Sequence, residues 1–204
     1  MKKLLLFCAF LLPFATILQA QAPYCLSVYN GCYGVHGINL FQLNTINQSV
    51  SCTGSPPYYH DFTGVSTALS VGTPYTITVQ AGYANTWVSV WIDYNQNYVF
   101  ENSELVGQVI CVNANTNYSI GPFTLPGTAL SGNTRLRVKT EYAGYPIDAC
   151  HQENVGNYCD FTVNIPAPAP IPTLSQWGLI IFGILLLSVG TLFIYRRRLN
   201  AIRV

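Results

Sequence analysis

The sequence predicts an all-β protein, an antiparallel β-sandwich, with a signal peptide before the sandwich and one transmembrane helix after it. Short runs rich in Val, Ile, Thr and aromatic residues recur between clusters of Gly, Pro, Asn and Ser. No segment of helical length and period appears before residue 177. A long uncharged apolar run then follows, which is typical of a membrane span.

Five runs are the clearest strands of the sandwich domain, which we place at residues 23–165. They are residues 75–80, 86–94, 118–125, 134–141 and 159–165. In the fourth run, Leu136 and Val138 alternate with Arg135, Arg137 and Lys139. Because neighbouring side chains on a strand point to opposite faces, we expect the two apolar residues in the core and the three cations in solvent.

Residues 1–22 have the pattern of a cleaved signal peptide. Lys2 and Lys3 precede an apolar stretch, residues 4–17, and an A-x-A pattern ends at Ala22. Cleavage there removes Cys8 with the signal. The alternative is an N-terminal membrane anchor, which the short apolar stretch disfavours.

The predicted transmembrane helix comprises residues 177–195. At 1.5 Å per residue it reaches about 28 Å, which matches the hydrocarbon core of a bilayer. Arg196, Arg197 and Arg198 follow it directly, and such a cluster of cations favours the cytoplasmic side, so we expect the sandwich outside. The Pro/Ala sequence at residues 166–172 predicts a stiff polyproline II spacer.

The charges separate the ends from the middle. Of nine basic residues only Arg135, Arg137 and Lys139 lie in the middle, where all eight acidic residues are found, a net charge of −5. Such a surface repels phosphate backbones, so we expect no nucleic-acid binding.

Six cysteines remain once Cys8 is lost, in a compartment where thiols oxidise. They are Cys25, Cys32, Cys52, Cys111, Cys150 and Cys159. An even number predicts three disulfides, and the pairing is open among fifteen possibilities. The sequence contains no C-x-x-C pair, which disfavours a structural zinc site.

A loop at residues 93–104 is a candidate calcium site. Its oxygen ligands would be Asp93, Asn95, Asn97, the Val99 carbonyl, Glu101 and Glu104, in the spacing of an EF-hand loop. Tyr98 occupies the position where that loop has glycine, and no helical pattern flanks it. The alternative is a hairpin turn whose Asn and Asp side chains satisfy its own backbone. No other cofactor is indicated.

Catalysis has little support in the sequence. The histidines are His36, His60 and His151, and no nucleophile motif accompanies them. His60-Asp61 and the carboxylates Glu101 and Glu104 are the residues that a hydrolase would use. We therefore expect no enzymatic activity.

Tyrosines in loop segments suggest a binding surface. The chain has fourteen, including Tyr24, Tyr29, Tyr33, Tyr58, Tyr59, Tyr83, Tyr94, Tyr98, Tyr142 and Tyr145. Exposed tyrosine rings contact proteins or stack on sugars, whereas buried ones fill a core, and both alternatives stay open.

The C-terminal region resembles the IPTL-CTERM sorting signal, a relative of PEP-CTERM tails. The resemblance lies in Ile171, Pro172, Thr173 and Leu174, then Trp177 and Gly178, with the apolar run and Arg196, Arg197 and Arg198 behind them. It implies that residues 171–204 address the chain to an exosortase-type membrane peptidase. The chain would then be cut near the motif and passed to the envelope or surface of a Gram-negative bacterium.

The middle resembles the GEVED domain, a β-rich module of secreted and surface proteins. The matching segments are residues 91–97, Phe100, residues 104–106, residues 134–138, Cys150 and residues 156–161, with residues 52–63 upstream. Asn157 and Cys159 stand where the family's naming sequence has glutamates. Together the two resemblances predict an exported, non-enzymatic surface module for attachment or for envelope or matrix structure. The rival hypotheses are a carbohydrate-binding accessory domain and, less favoured, a small secreted hydrolase, with a surface polysaccharide or a protein as partner.

Overall fold

The computed structural model describes residues 24–26, 29–32, 36–52, 56, 58–142, 144–145, 148–151, 153–168 and 176–201. They belong to two compact units that divide between Pro166 and Ala167. The predicted signal peptide lies outside the described residues, as do residues 169–175 of the spacer and sorting motif.

The first unit is built from β-strands. Those described are β1 (Tyr29–Gly31), β2 (Ile38–Leu43), β3 (Ile46–Ser49), β4 (Tyr59–Ala68), β5 (Pro74–Ala81), β6 (Thr86–Ile92), β7 (Leu105–Cys111), β8 (Tyr118–Thr124), β9 (Gly132–Glu141), β10 (Glu153–Val155) and β11 (Tyr158–Ile165). A one-turn 3₁₀ helix, Asn102–Glu104, lies between β6 and β7.

The strands form two main sheets. One has the order β3-β2-β5-β8 and is antiparallel throughout. The other has the order β4-β11-β9-β6-β7 and is antiparallel except for the parallel edge pair β4–β11. A short parallel pair, β1–β10, stands apart from both. The predicted β-sandwich is confirmed, and the parallel pairs are features that alternation along one strand does not reveal.

Both sheets contribute their inner faces to one hydrophobic core. Leu136 and Val138 of β9 are fully buried there, opposite Ile92 and Val90 of β6. Full burial of such side chains stabilises the fold by about 1.5–3 kcal/mol each. Leu136 and Val138 therefore lie where the alternation of β9 predicts them.

Among the strands that the sequence predicted, β5, β6, β9 and β11 contain several buried residues, whereas β8 is an edge strand with one, Ile120. β5, β6, β8, β9 and β11 coincide with the five predicted runs to within two residues. The other strands are short or, like β4, lie at a sheet edge with mostly half-buried and exposed residues. Their hydrophobic period is weak because one face or both are in contact with solvent.

The second unit contains helix α1 (Gln176–Ala201). Its segment Trp177–Arg198 has 22 residues and a mean hydropathy of 2.4, so it could cross a membrane by length and composition. The large apolar side chains of this segment are exposed to between 50% and 74%. A helix that is apolar all round needs lipid or protein around it, which agrees with the predicted span at residues 177–195.

Candidate functional site

The outer face of the five-stranded sheet is covered, contrary to the prediction for β9. Arg137 and Lys139 do point away from the core, as the alternation requires, yet both side chains are fully buried. Segments that carry Cys25 and residues 148–151 supply backbone groups to them. The prediction that these two cations face solvent is wrong, because residues distant in sequence cover that face of the strand.

Arg137 is held by one carboxylate and two carbonyls. Its Nε and Nη2 atoms donate to Asp160 at 2.7 and 2.8 Å, and its Nη1 atom donates to the carbonyls of Cys25 and Ala149 at 2.8 and 3.1 Å. The guanidinium also packs over the rings of Phe100 and Tyr158. Burial alone would lower the pKa of Arg137, but the hydrogen bond and charge of Asp160 raise it above its ordinary value.

Lys139 makes a similar contact beside it. Its Nζ atom donates to the carbonyls of Asp148 and His151 at 3.0 and 2.6 Å and lies over the ring of Tyr29. Tyr29 in turn donates its hydroxyl to the Thr140 carbonyl at 2.9 Å. These contacts attach the covering segments to the sheet through buried polar groups. The sequence of β9 alone does not predict this structural role of its cations.

Two disulfides staple the covering segments. Cys25 is bonded to Cys150 and Cys32 to Cys52, with Cα–Cα distances of 5.6 and 5.7 Å. The first bond joins residues that flank the carbonyls around Arg137. Disulfide bonding of these four cysteines agrees with the prediction.

The third predicted disulfide is wrong. Cys111 lies on β7 and Cys159 on β11, and both are buried free thiols. These strands are three positions apart in the sheet order, about 14 Å at the usual strand spacing, whereas a disulfide requires Cα atoms within about 7 Å. Burial raises the pKa of Cys111 to about 11 and that of Cys159 well above its usual range, so both thiols stay protonated at neutral pH.

The predicted calcium loop is a hairpin in which the carboxylates of Asp93 and Glu104 accept hydrogen bonds from backbone amides of the same loop. Buried Asp93 accepts from the amide of Asn97 at 3.2 Å, from the amide of Tyr98 at 3.0 Å and from the Tyr24 hydroxyl at 2.6 Å. Glu104, 2% exposed, accepts from the amides of Tyr94 and Glu101 at 2.8 and 3.1 Å. Every oxygen of these two carboxylates therefore already has an N–H or O–H donor.

The remaining predicted ligands also bind within the loop. Asn95 and Asn97 donate their side-chain amides to Glu101 at 3.3 and 3.0 Å, and Val99 donates its backbone amide to Asn97 at 2.8 Å. Tyr98 has a φ of 68°, the left-handed conformation that favours glycine. In the described part of the chain, no three His, Cys, Asp or Glu side chains come together as metal ligands. This geometry gives calcium no support beyond the sequence spacing.

The candidate catalytic residues are dispersed. The ring of His36 lies against Tyr83 and Tyr142, and His60 stacks near Phe62, while the His151 carbonyl serves Lys139. Burial lowers the pKa of His36 and of His60, so both are neutral at physiological pH. Glu101 and Glu104, in contrast, engage groups within the loop at residues 93–104.

A polar cavity of about 110 Å³ lies beside the hairpin on the outer face. Its lining comprises Tyr24, Gln96, Tyr98, Asn133, Thr134, Arg135 and Thr162. Arg135 is partly engaged there, because it contacts Asp160 at 3.3 Å and covers the ring of Tyr24. The volume is below the roughly 300–1,000 Å³ of typical small-molecule sites.

The structure divides the loop tyrosines into two groups. Tyr24 and Tyr29 are buried, and Tyr59 stacks on Tyr158, so these rings belong to the covered outer face. Tyr83 and Tyr142, in contrast, are 45% and 48% exposed and lie together around His36. The two alternatives that the sequence left open thus both occur, in different tyrosines. Tyr33 lies outside the described residues.

Helix α1 contains part of the predicted sorting signal. Trp177 and Gly178 lie in its first turn, and Arg196, Arg197 and Arg198 lie near its C-terminal end. Ile171, Pro172, Thr173 and Leu174 lie outside the described residues.

Comparison with known proteins gives two family matches. The GEVED domain model matches residues 87–164, from β6 to β11, and the IPTL-CTERM motif model matches residues 169–198. No curated protein matches the chain. The motif points to exosortase-type processing with a C-terminal membrane-anchoring helix, and thus to an exported surface protein. Residues 87–164 therefore form a GEVED domain, and residues 169–198 carry an IPTL-CTERM motif.

Proposed function

We propose that the chain is a non-enzymatic surface module of a Gram-negative envelope, serving attachment or matrix structure after an exosortase-type peptidase removes its tail. The observation that carries this proposal is the coincidence of the IPTL-CTERM match with an exposed apolar helix ending in three arginines. A helix of this kind anchors the chain in the inner membrane while the cations hold its end in the cytoplasm. The domain division after residues 23–165 and the Pro/Ala spacer at 166–172 belong to the same proposal.

The buried polar groups of the first unit support a structural role. Arg137 binds Asp160 on the covered outer face, and Glu104 accepts hydrogen bonds from backbone amides of the hairpin. The Cys25–Cys150 disulfide further holds the covering segments in place, and a second disulfide joins Cys32 to Cys52. The small secreted hydrolase is the less favoured alternative, since the rings of His36 and His60 lie against aromatic side chains while Glu101 and Glu104 bind within the hairpin.

Calcium is not part of this proposal. The loop offers oxygen atoms, which are the right ligands for a hard cation. Asp93 and Glu104, however, are buried and engaged by N–H and O–H donors. We therefore propose that these two acids stabilise the hairpin, and we assign them no role as ion ligands.

The proposal is tested by the C-terminus of the mature protein. We would express the full chain in a host with an exosortase and in the same host without it, and measure intact masses from inner-membrane and outer fractions. We expect the outer form to end near residues 171–178 and to lack the arginine cluster, and the uncut form to accumulate without the peptidase. An outer form that still ends at Val204 would contradict processing.

Attachment is tested separately. A strain that lacks the chain should lose adhesion or matrix cohesion, and the wild-type chain should restore it. The matched control replaces Arg196, Arg197 and Arg198 with alanine, which removes the orienting charge but leaves the sandwich unchanged. Restoration by a chain that never reaches the surface would contradict the proposal, as would turnover of hydrolase substrates by the purified chain.

A further inference from the structure

Five aromatic side chains lie at one end of the sandwich in two groups of contacting rings, and we refer to them as the aromatic patch. They are His36, Tyr83, Trp87, Tyr142 and Tyr145. The His36 ring lies 4.1 Å from that of Tyr83 and 4.6 Å from that of Tyr142, and the Trp87 and Tyr145 rings are also 4.1 Å apart. Trp87 on β6 is paired with Glu141 on β9, the neighbour of Tyr142, which places both groups of rings at the same end.

Two rings of the patch, those of Tyr83 and Tyr142, are exposed to solvent, and both belong to residues that adjoin strands. Tyr83 precedes β6, where its carbonyl accepts the hydroxyl of Thr86 at 2.9 Å, and Tyr142 follows β9 directly. The ring planes of Tyr83 and Tyr142 lie at 69° to each other. Fixed rings give contact area at low cost in conformational entropy, which is a property of binding surfaces.

The charge of the domain selects the class of partner. Its three basic residues are engaged within the fold: Arg137 and Lys139 are fully buried, and Arg135 contacts Asp160. A polyanionic partner therefore finds no free cation among the described residues of the sandwich.

The size and chemistry of the patch fit a sugar better than a protein. Stable protein interfaces bury roughly 800 Å² on each partner, far more than two half-exposed phenol rings provide. The C–H face of a sugar ring is apolar and packs on an aromatic ring, while its hydroxyls donate to carboxylates and to tyrosine oxygens.

We infer that the aromatic patch binds an uncharged polysaccharide, with sugar rings stacked on Tyr83 and Tyr142. This inference rests on the proposed surface function and names the class of partner for it. The His36 ring packs against both exposed rings.

Affinity electrophoresis tests the inference with the full chain in a detergent that has no sugar headgroup. Native gels would contain hydroxyethylcellulose, lichenan or galactomannan as uncharged probes and alginate as the charged one. We expect at least one uncharged probe to retard the wild type and the double variant Y83A/Y142A to lose at least about tenfold in affinity. Y83F/Y142F should stay within about threefold of the wild type because the rings remain.

The matched controls are V71A and L130A, which shorten exposed apolar side chains elsewhere on the sandwich. Both should bind as the wild type does. The inference is overturned if no uncharged probe retards the chain, if alginate alone does, or if Y83A/Y142A binds unchanged. Loss of adhesion in Y83A/Y142A on a surface free of polysaccharide would instead indicate a protein partner and also overturn it.

These outcomes are distinct from those of the proposed function. One outcome is a chain that reaches the surface and restores adhesion but binds none of the uncharged probes. That result refutes polysaccharide binding by the patch and leaves the surface role intact. A chain that binds the probes through Tyr83 and Tyr142 but never leaves the inner membrane refutes the surface role instead.

Discussion

Arg137 and Asp160 lie directly opposite each other on neighbouring strands, and the guanidinium meets the carboxylate at two points, 2.7 and 2.8 Å away. Both side chains are fully buried. The pair lies beneath the segment that the Cys25–Cys150 disulfide holds in place. Both the ion pair and the disulfide therefore stabilise this face of the sheet.

Removing one member of the Arg137–Asp160 pair should lower the stability of the fold. Asp160→Asn leaves a buried guanidinium without its counter-charge, and we expect a loss of about 3–5 kcal/mol in the free energy of unfolding. Urea unfolding of the full chain in detergent, followed by tryptophan emission, measures it. The control is Asp61→Asn on the adjoining strand, where the carboxyl is exposed, with an expected change below about 1 kcal/mol. Equal urea midpoints for D160N and D61N would contradict a stabilising role of the Arg137–Asp160 pair.

The two disulfides should differ in their contribution. From loop length alone, the Cys25–Cys150 bond, with a separation of 125 residues, contributes about 5 kcal/mol and the Cys32–Cys52 bond, with a separation of 20, about 3 kcal/mol. C25S/C150S also loosens the carbonyls around Arg137, which increases the difference. We expect the lower urea midpoint, and faster proteolysis before residue 32, in C25S/C150S. Equal midpoints and equal proteolysis in the two double variants would speak against this order.

Stability should fall in mild acid because of two histidines. Burial lowers the folded-state pKa of His36 and of His60 below the unfolded value of 6.5. The folded state therefore prefers the neutral rings, so this stability is present in full above about pH 6.5 and is lost as pH falls towards the lower folded pKa values. Urea midpoints between pH 8 and pH 5 should decrease less in H36Q/H60Q than in the wild type. The same pH profile in both proteins would exclude these residues as the cause.

The hairpin at residues 93–104 should not depend on calcium. Because Asp93 and Glu104 are engaged by backbone amides, we expect the melting temperature to stay within about 1 °C when a chelator is added. Calcium at a hundred times its dissociation constant would add about 2.7 kcal/mol, so a real site would raise the melting temperature by several degrees. Heat on titration, abolished by Asp93→Asn, would establish calcium binding instead.

The strongest sequence signals were those set by local chemistry. The apolar run from Trp177 and the arginines after it predict a membrane span because length and charge alone decide insertion. The alternation in β9 predicts which residues face the core because the period of a strand is two. The family resemblances extend these signals, and both are matched.

Other features depend on residues that are distant in sequence. Cys111 and Cys159 look like disulfide partners by number, but their strands are three positions apart in the sheet. Arg137 and Lys139 look like solvent-facing cations until the segments around Cys25 and Cys150 cover them. Tyr83 and Tyr142 are 59 positions apart in the chain and meet only because β6 pairs with β9.

Short periodic and apolar patterns therefore suffice to predict a tail helix that could span a membrane, the β class and the inward faces of the strongest strands. The tertiary structure alone decided which polar residues are buried, which cysteines pair and which tyrosines remain exposed. The physical reason is that burial and pairing depend on strand order and on the segments that cover a sheet, and neither is encoded in the period of any one strand.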